Sequence, residues 1–349
     1  MARPPHRAPT LKDVADHAGV SLMTVSRTIS ANGKVKPATR ERVQRAIAEL
    51  NYSSDPPRRR PQVGPEVRIA LLYSRPPSSY LSEFLIESLL AARHVHVHLE
   101  VETFEDTVPV ADIVADLLDE RTDGVILLPP LCDSPEMLRA LAAAGIPAVA
   151  IATGRTSRET SSVTIDDHEA AREMTHHLIK LGHGRIGFML GDPRHGATRR
   201  RLDGYLLALS EAGIAPDNAL IAQGTFTYRS GLDAAEKILG QAKPPTAIFS
   251  SNDDMAAAAV AVAHQRGLDV PGDLSIAGFD DAPLATTIWP ELTTIRQPIG
   301  DMSRLALELL LKEIKAAGTA SAPPRQIILD HMLVRRQSDS APRWQFRNG

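Results

Sequence analysis

Ser21, Thr24, Ser26 and Arg27 crowd into one short stretch and offer hydroxyl and guanidinium donors. Such groups suit phosphate oxygens and base edges when one rigid element presents them together. A second set is scattered through the chain. Arg201 brings a planar fork, Asn252 and Asp280 each follow a short apolar run, and Phe226 offers a flat apolar ring. A fork fits two hydroxyls or a carboxylate. Polar residues just past apolar strands stand where α/β sheets bind ligands, and an aromatic ring can stack on the apolar face of a sugar.

The first set needs a helix to carry it. Leu11, Val14, Ala15 and Ala18 recur at helical spacing, Gly19 breaks the pattern, and Ser21 can cap a second helix. Leu22, Val25 and Ile29 give that second helix its own apolar stripe. Two short helices joined at a glycine form a helix-turn-helix, whose second helix can enter the DNA major groove. The spacing alone also fits an ordinary helical hairpin.

The wording of the stretch resembles the DNA-binding headpiece of the lactose-repressor (LacI) family. The matching residues are TLKDVADHAGVS and TVSR, then Val35, Thr39-Arg40-Glu41-Arg42-Val43, and Ala46-Ile47 with Glu49-Leu50-Asn51-Tyr52. The resemblance implies that Leu22 and Met23 open the recognition helix and help choose the operator. It implies that Ser21, Thr24, Ser26 and Arg27 mainly hold phosphates, and it adds Thr10, Leu11 and Asn32 to the DNA-contacting set. A third helix is expected from about Pro37 to Leu50, with Pro at the first helical position, where its missing amide costs nothing. Lys36 stands where the family usually has a small polar cap.

The balance of charge fits this division. Residues 1–62 hold twelve Lys and Arg against five Asp and Glu, a net of +7, while the whole chain is −3. A basic head on an acidic body suits a nucleic-acid module joined to something else. At 349 residues the chain exceeds one average domain. Hydrophobic residues make up 43% and aromatics only 4%, so the core must be mostly aliphatic. A single cysteine, Cys132, excludes an internal disulfide framework and suits a reducing cytosol. The opening MARPPHRAPT shows no signal peptide, and no run approaches a membrane helix. A cytoplasmic protein without membrane contact is expected.

Headpiece (1–52) and core (66–340) are separated by a hinge at 53–65 and followed by a tail, 341–349. In the family the hinge folds as a helix on DNA and pushes an apolar side chain into the minor groove. Here Pro56, Pro57 and Pro61 restrict any helix to about a turn. Pro61 itself can act as a wedge, Arg58, Arg59 and Arg60 can occupy a narrow minor groove, or the segment is a charged tether.

From Val67 the pattern alternates between short apolar runs and helices. VRIALLY, VHLEVETF, GVILLPP and PAVAIAT read as strands, with LSEFLIESLLAARH, VADIVADLLDE and PEMLRALAAAG as the helices between. After a link at about Thr156 to Ser162 the alternation resumes through RIGFMLG, TAIFSS and LSIAGFD. Alternation of this kind implies parallel sheets with helices on both faces. The fold class expected is an all-α helix-turn-helix headpiece plus an α/β core of two parallel-sheet subdomains, about 66–160 and 161–292, with later crossovers. The core resembles the periplasmic-binding-protein-like effector domain of the same family. The matching pieces include Arg201-Leu202 with Gly204-Tyr205, Ser251-Asn252-Asp253 with Met255-Ala256, and Gly278-Phe279-Asp280-Asp281. The resemblance implies that Arg201, Phe226, Asn252 and Asp280 hold the effector. The first block contributes less recognisably: Ser78, Ser79 and Tyr80 occupy the loop after its first strand, with Tyr80 the expected effector contact.

Other signals carry less. Gly182-His183-Gly184-Arg185-Ile186-Gly187 spells a dinucleotide-type glycine pattern, but it follows a helix and opens a strand, the reverse of what that site needs. His94, His96 and His98 would share one face of a strand, with no ligand set to complete a metal site, and read as a solvated face. Successive side chains diverge on a strand, so Asp280 and Asp281 cannot both enter one cleft as a catalytic pair. No nucleophile elbow, metalloprotease motif or P-loop is present. The reading is a non-enzymatic regulator, expected to repress, with no cofactor and no metal. Its partners are duplex DNA, a sugar-like effector and a second copy of itself in a homodimer. A sugar-transport protein or a sugar-acting enzyme is the alternative. The tail has no leucine heptad that would pair dimers into tetramers.

Overall fold

The computed structural model describes residues 11–29, 36–50, 67–74, 78–95, 97–105, 107–154, 160–316 and 323–343. The chain divides into two units, 1–65 and 66–349.

The described residues of the first unit form three helices: α1 (Leu11–Ala18), α2 (Leu22–Ile29) and α3 (Pro37–Glu49). The apolar spacing of the sequence becomes a small buried core of Val14, Ala15, Ala18, Val25, Val43 and Ala46. Gly19 turns the chain between α1 and α2 at φ +60°, a left-handed conformation that glycine adopts without strain. The Ser21 hydroxyl accepts from the Thr24 amide at 3.3 Å, which caps α2 as its sequence position implies.

The second unit opens with β1 (Arg68–Ser74), α4 (Ser79–Val95), β2 (His98–Phe104), α5 (Val110–Asp119), β3 (Gly124–Leu127), α6 (Pro135–Ala144), β4 (Ala148–Ile151) and β5 (Ser161–Ile165). It continues with α7 (Asp167–Lys180), β6 (Ile186–Leu190), α8 (Gly196–Glu211), β7 (Ile221–Gln223), α9 (Tyr228–Leu239), β8 (Ala247–Ser250), α10 (Asp253–Gln265) and β9 (Ser275–Ala277). It closes with α11 (Leu284–Thr287), β10 (Thr294–Arg296), α12 (Ile299–Ala316), β11 (Gln326–Leu329) and β12 (Met332–Val334). One parallel sheet has the order β11-β5-β4-β3-β1-β2, a second the order β7-β6-β8-β9, and β10 pairs antiparallel with β12. Helices on both faces bury β3 and β8 completely, which is why these strands read as unbroken apolar runs.

The chain passes between the two blocks three times among the described residues: after β5, between β10 and α12, and between β11 and β12. The boundary expected at 160/161 therefore moves. Ser161–Ile165, expected to begin as a link, is strand β5 of the first sheet, held between β4 and β11. Its opening serines read as loop residues. In the fold they are buried, with Ser161 donating to Glu313 on α12 and Ser162 to Gln326 on β11.

Two further expectations are corrected. His94, His96 and His98 do not share a strand face: His94 lies in the last turn of α4, His98 opens β2, and His96 lies outside the described residues. The alternation is short, and the packing of α4 against α12 carries the helix on to Val95. Ser79 and Tyr80 are not loop residues but the first turn of α4, because the Ser78 hydroxyl accepts from the Leu81 amide and starts the helix there. The glycine pattern at 182–187 does sit between the end of α7 and the start of β6. Among the described residues, no helix is long and apolar enough to cross a membrane.

Candidate functional site

A cleft of about 790 Å3, mouth included, opens between the two blocks at the carboxyl ends of their strands. That is where open α/β sheets bind ligands. The first block lines it with Tyr73, Tyr80, Leu128 and the Pro129-Pro130 pair, the second with Asp192, His195, Arg201, Phe226, Asn252 and Asp280. Gln297, at the crossing that leads into α12, completes the floor.

Arg199 and Arg200 stay at the surface, whereas Arg201 turns inward and is 4% exposed. Its Nε donates to Asp167 at 2.8 Å, its Nη1 donates to the Ser251 carbonyl, and its guanidinium lies 3.6 Å over the Phe279 ring. A buried cation requires such pairing, because an isolated charge in a dry site is expensive. Nη1 is 4.0 Å from Asp280 Oδ1.

Asp280 and Asp281 both adopt positive φ, 110° and 57°, and turn the chain out of β9. Their side chains diverge as expected. Asp280 faces the cleft and accepts from Gln297 Nε2 at 2.7 Å. Asp281 is tied at 2.6 Å to Arg296 and at 2.6 Å to Arg336. Burial pushes the Asp280 carboxyl up to about 7, against the pull of Arg201 and the Gln297 hydrogen bond; Asp254 and Asp167 push it the same way as burial. Burial likewise drops His195 to about 4, so its ring is neutral near pH 7. The Tyr80 phenol is held well above its ordinary range, first by burial and then by Asp280 and Asp167. Its hydroxyl and the Gln297 Oε1 are buried without a hydrogen-bond partner in the protein.

Asn252 lines the cleft and also carries two structural bonds. Its Oδ1 caps α10 by accepting from the Met255 amide at 3.0 Å, and its Nδ2 donates to the Phe226 carbonyl at 2.9 Å. Phe226 sits at φ 60°, strained for a bulky side chain. Its ring packs so closely on Gly191 that a Cβ there would lie 1.9 Å away, and the His195 ring is 5.0 Å from its own. Asn252 thus positions Phe226 while lining the cleft.

Two carboxylates cross between the blocks. Asp254, at the start of α10, accepts from the Ser79 amide at 3.0 Å and its hydroxyl at 2.7 Å, at the start of α4. Asp133, in the first block, accepts from the Gly196 amide at 2.7 Å at the start of α8, and from Thr153 and Gly154 on its own side. A Cβ on Gly154 would lie 2.1 Å from the Gly196 backbone, so this approach requires glycine.

In the first unit Met23 is 63% exposed and Ser21 is also exposed, bonded to Thr24 Oγ1 at 2.9 Å. Thr28 back-bonds to the Thr24 carbonyl at 2.8 Å. Lys36, Arg40, Arg42 and Arg45 are exposed at or along α3. Thr10, Asn32, Arg58 and Arg59 lie outside the described residues, as do the side chains of Leu11, Leu22, Ser26 and Arg27.

The fold thus brings Tyr80, Arg201, Phe226, Asn252 and Asp280 to one cleft. Sequence reasoning missed Gln297, His195, the Pro129-Pro130 wall and both crossing carboxylates. For Gln297 the only signal was its place before Pro298 in the stretch that returns to the first block.

Two family models match the chain: "Bacterial regulatory proteins, lacI family" over residues 10–55, and "Periplasmic binding protein-like domain" over 175–338. The chain is 34% identical over 345 residues to the HTH-type transcriptional repressor CytR of Escherichia coli (strain K12), covering 97% of this chain and 99% of that one. A solved transcriptional regulator CelR–cellobiose complex superposes with a TM-score of 0.72 at 32% identity, covering 95% of this chain and 99% of the other. The lac repressor dimer bound to operator and an anti-inducer superposes with a TM-score of 0.70 at 28% identity, over 96% and 100%.

Proposed function

The chain belongs to the lacI family of bacterial regulatory proteins, DNA-binding transcriptional regulators rather than enzymes, and within it we propose a repressor whose operator affinity is set by a sugar-like effector in the cleft. The observation that carries this reading is the cleft itself, walled from both blocks in a chain whose first unit is a helix-turn-helix. A ligand touching both walls favours one arrangement of the blocks through its differential affinity for the two states. Arg201, Asp280 and Tyr80 supply the polar contacts, Phe226 the stacking face, and Asn252 the support for Phe226. A relative of the same architecture solved as a cellobiose complex supports a carbohydrate as the class of effector.

On the DNA side, Leu22 and Met23 read base edges in the major groove. Thr10, Leu11, Ser21, Thr24, Ser26, Arg27 and Asn32 hold the backbone, and Arg58 and Arg59 follow the minor groove. The active form is a homodimer, which matches a two-fold operator. On α4, Ile86, Leu89 and Leu90 are each about half exposed at helical spacing, an apolar face of the kind a second copy covers. Acting on DNA, with its one cysteine buried and free, the protein works in the cytoplasm. A thermal-shift screen of sugars tests the effector half of this reading, because a ligand of the native state raises the melting temperature by mass action. No shift with any sugar, sugar derivative or nucleoside would refute it.

A further inference from the structure

We propose that the cleft selects an uncharged, hydroxyl-rich ring and rejects its phosphorylated or carboxylated counterpart, with Gln297 and Tyr80 as the side chains that read its hydroxyls. This rests on the effector reading above and narrows it to one charge class.

Both arginines of the cleft already have their charge matched by a carboxylate, which leaves Arg201 N–H donors for a hydroxyl but no surplus positive charge for an anion. Arg194 is held by Asp192, with Nε at 3.1 Å and Nη2 at 2.7 Å from its oxygens. Arg201 is held by Asp167 and the Ser251 carbonyl, with Asp280 at 4.0 Å. His195, the remaining basic group, is neutral near pH 7 because of its burial. Behind the wall, Asp167 and Asp254 add negative potential that Asp280 feels. An anion entering here finds no spare cation and meets carboxylates in a partly dry site, where like charges repel more strongly than in water. Phosphate and carboxylate are commonly recognised by a bidentate arginine fork or a lysine charge.

The unsatisfied groups say what is wanted instead. Gln297 spends its Nε2 on Asp280, which leaves Oε1 buried, unpartnered and at the cleft. The Tyr80 hydroxyl is likewise buried and unpartnered on the opposite wall. Buried polar atoms are nearly always paired, so these two mark where ligand hydroxyls belong. A site built to bond hydroxyls discriminates sharply against an analogue that leaves its groups unpaired. Tyr73, Tyr80, Leu128 and Phe226 supply the apolar surface for the ring between them.

The test uses the full-length protein and matched pairs: glucose, cellobiose, ribose and cytidine against glucose 6-phosphate, glucuronate, ribose 5-phosphate and cytidine monophosphate. Thermal shift identifies binders and calorimetry gives their affinities. At least one uncharged member is expected to bind, and its charged counterpart to bind at least tenfold more weakly. Tyr80→Phe removes only a hydroxyl that bonds nothing in the protein, and is expected to lower affinity for that uncharged binder about fivefold without lowering the melting temperature. Gln297→Met, of similar volume, should lower it by a like factor. A phosphate or carboxylate binding as tightly as its neutral partner would overturn the charge selection while leaving the effector cleft standing. Unchanged affinity in both variants would overturn Gln297 and Tyr80 as readers. Silence across the whole panel would overturn the effector reading itself.

Discussion

Asp254, on the second block, accepts both hydrogen bonds that Ser79 offers at the start of α4 on the first, at 3.0 and 2.7 Å. Asp133 does the converse, reaching from the first block to the Gly196 amide at the start of α8 on the second, at 2.7 Å. Each block thus satisfies orphan amide donors of a helix belonging to the other, where a carboxylate also meets the favourable end of the helix dipole. Opening the cleft would uncap both helices together.

Asp254→Ala should therefore favour the open arrangement. Losing a cap costs about 0.5–2 kcal/mol, which corresponds to an effector affinity lowered by roughly two- to thirtyfold. The amides at the start of α4 should exchange with solvent faster in this variant than in the wild type. Exchange unchanged at Ser79 to Ser82 would show that the contact does not hold the blocks together.

Asp280 makes stability depend on pH with a definite sign. Its carboxyl titrates near 7 in the fold, above its ordinary value of 3.8, so the native state binds the proton more tightly than the unfolded chain. The associated stability is fully present below about pH 4 and is lost as pH rises through about 7. Glu102, also raised to about 7, acts in the same direction, whereas His195, lowered to about 4, acts in the opposite one between about 4 and 6.5. Comparing wild type with Asp280→Asn isolates Asp280. The wild-type urea midpoint should fall relative to that of the variant between pH 5 and pH 8, the wild type losing on the order of a few kcal/mol. Parallel pH profiles would show that Asp280 is not perturbed.

Asn252→Ala removes the α10 cap and frees the Phe226 carbonyl, and should lower core stability by about 1–3 kcal/mol in urea titrations. Asn252→Asp keeps the capping oxygen but not the donor to Phe226, and should lose less. No loss in Asn252→Asp would mean that the clamp on Phe226 contributes nothing, and a loss equal to that of Asn252→Ala that the cap contributes nothing.

In the headpiece, substitutions at Leu22 or Met23 should change which sequence is retained from a randomised operator pool. Arg27→Ala should instead weaken binding to all sequences alike and reduce the salt slope by about one. An unaltered preference in the Leu22 and Met23 variants would reject the assignment of α2 as the reading helix.

The division into head and core, the alternation of β1 to β9 with their helices, and the five cleft residues were legible because each rests on local pattern: apolar period, glycine turns, polar residues past strand ends. What stayed hidden depends on distant pairing. Ser161 looks like a linker residue until Glu313 and the Arg325 amide bond its hydroxyl. Nothing near Asp254 or Ser79 in the sequence announces a contact across 175 positions. The two structural bonds of Asn252 stayed hidden as well, because capping and clamping are visible only once Met255 and Phe226 surround it.

Linkage between cleft and operator is the claim on which the rest depends. An operator selected from the random pool, titrated by fluorescence anisotropy with and without a saturating amount of the uncharged sugar that raises the melting temperature, measures it directly. The wild type should change operator affinity by at least about fivefold, the lower end of ordinary allosteric coupling. Asp280→Asn should bind the same operator normally and fail to respond at that sugar concentration. An operator affinity unmoved by saturating sugar in the wild type would contradict the mechanism.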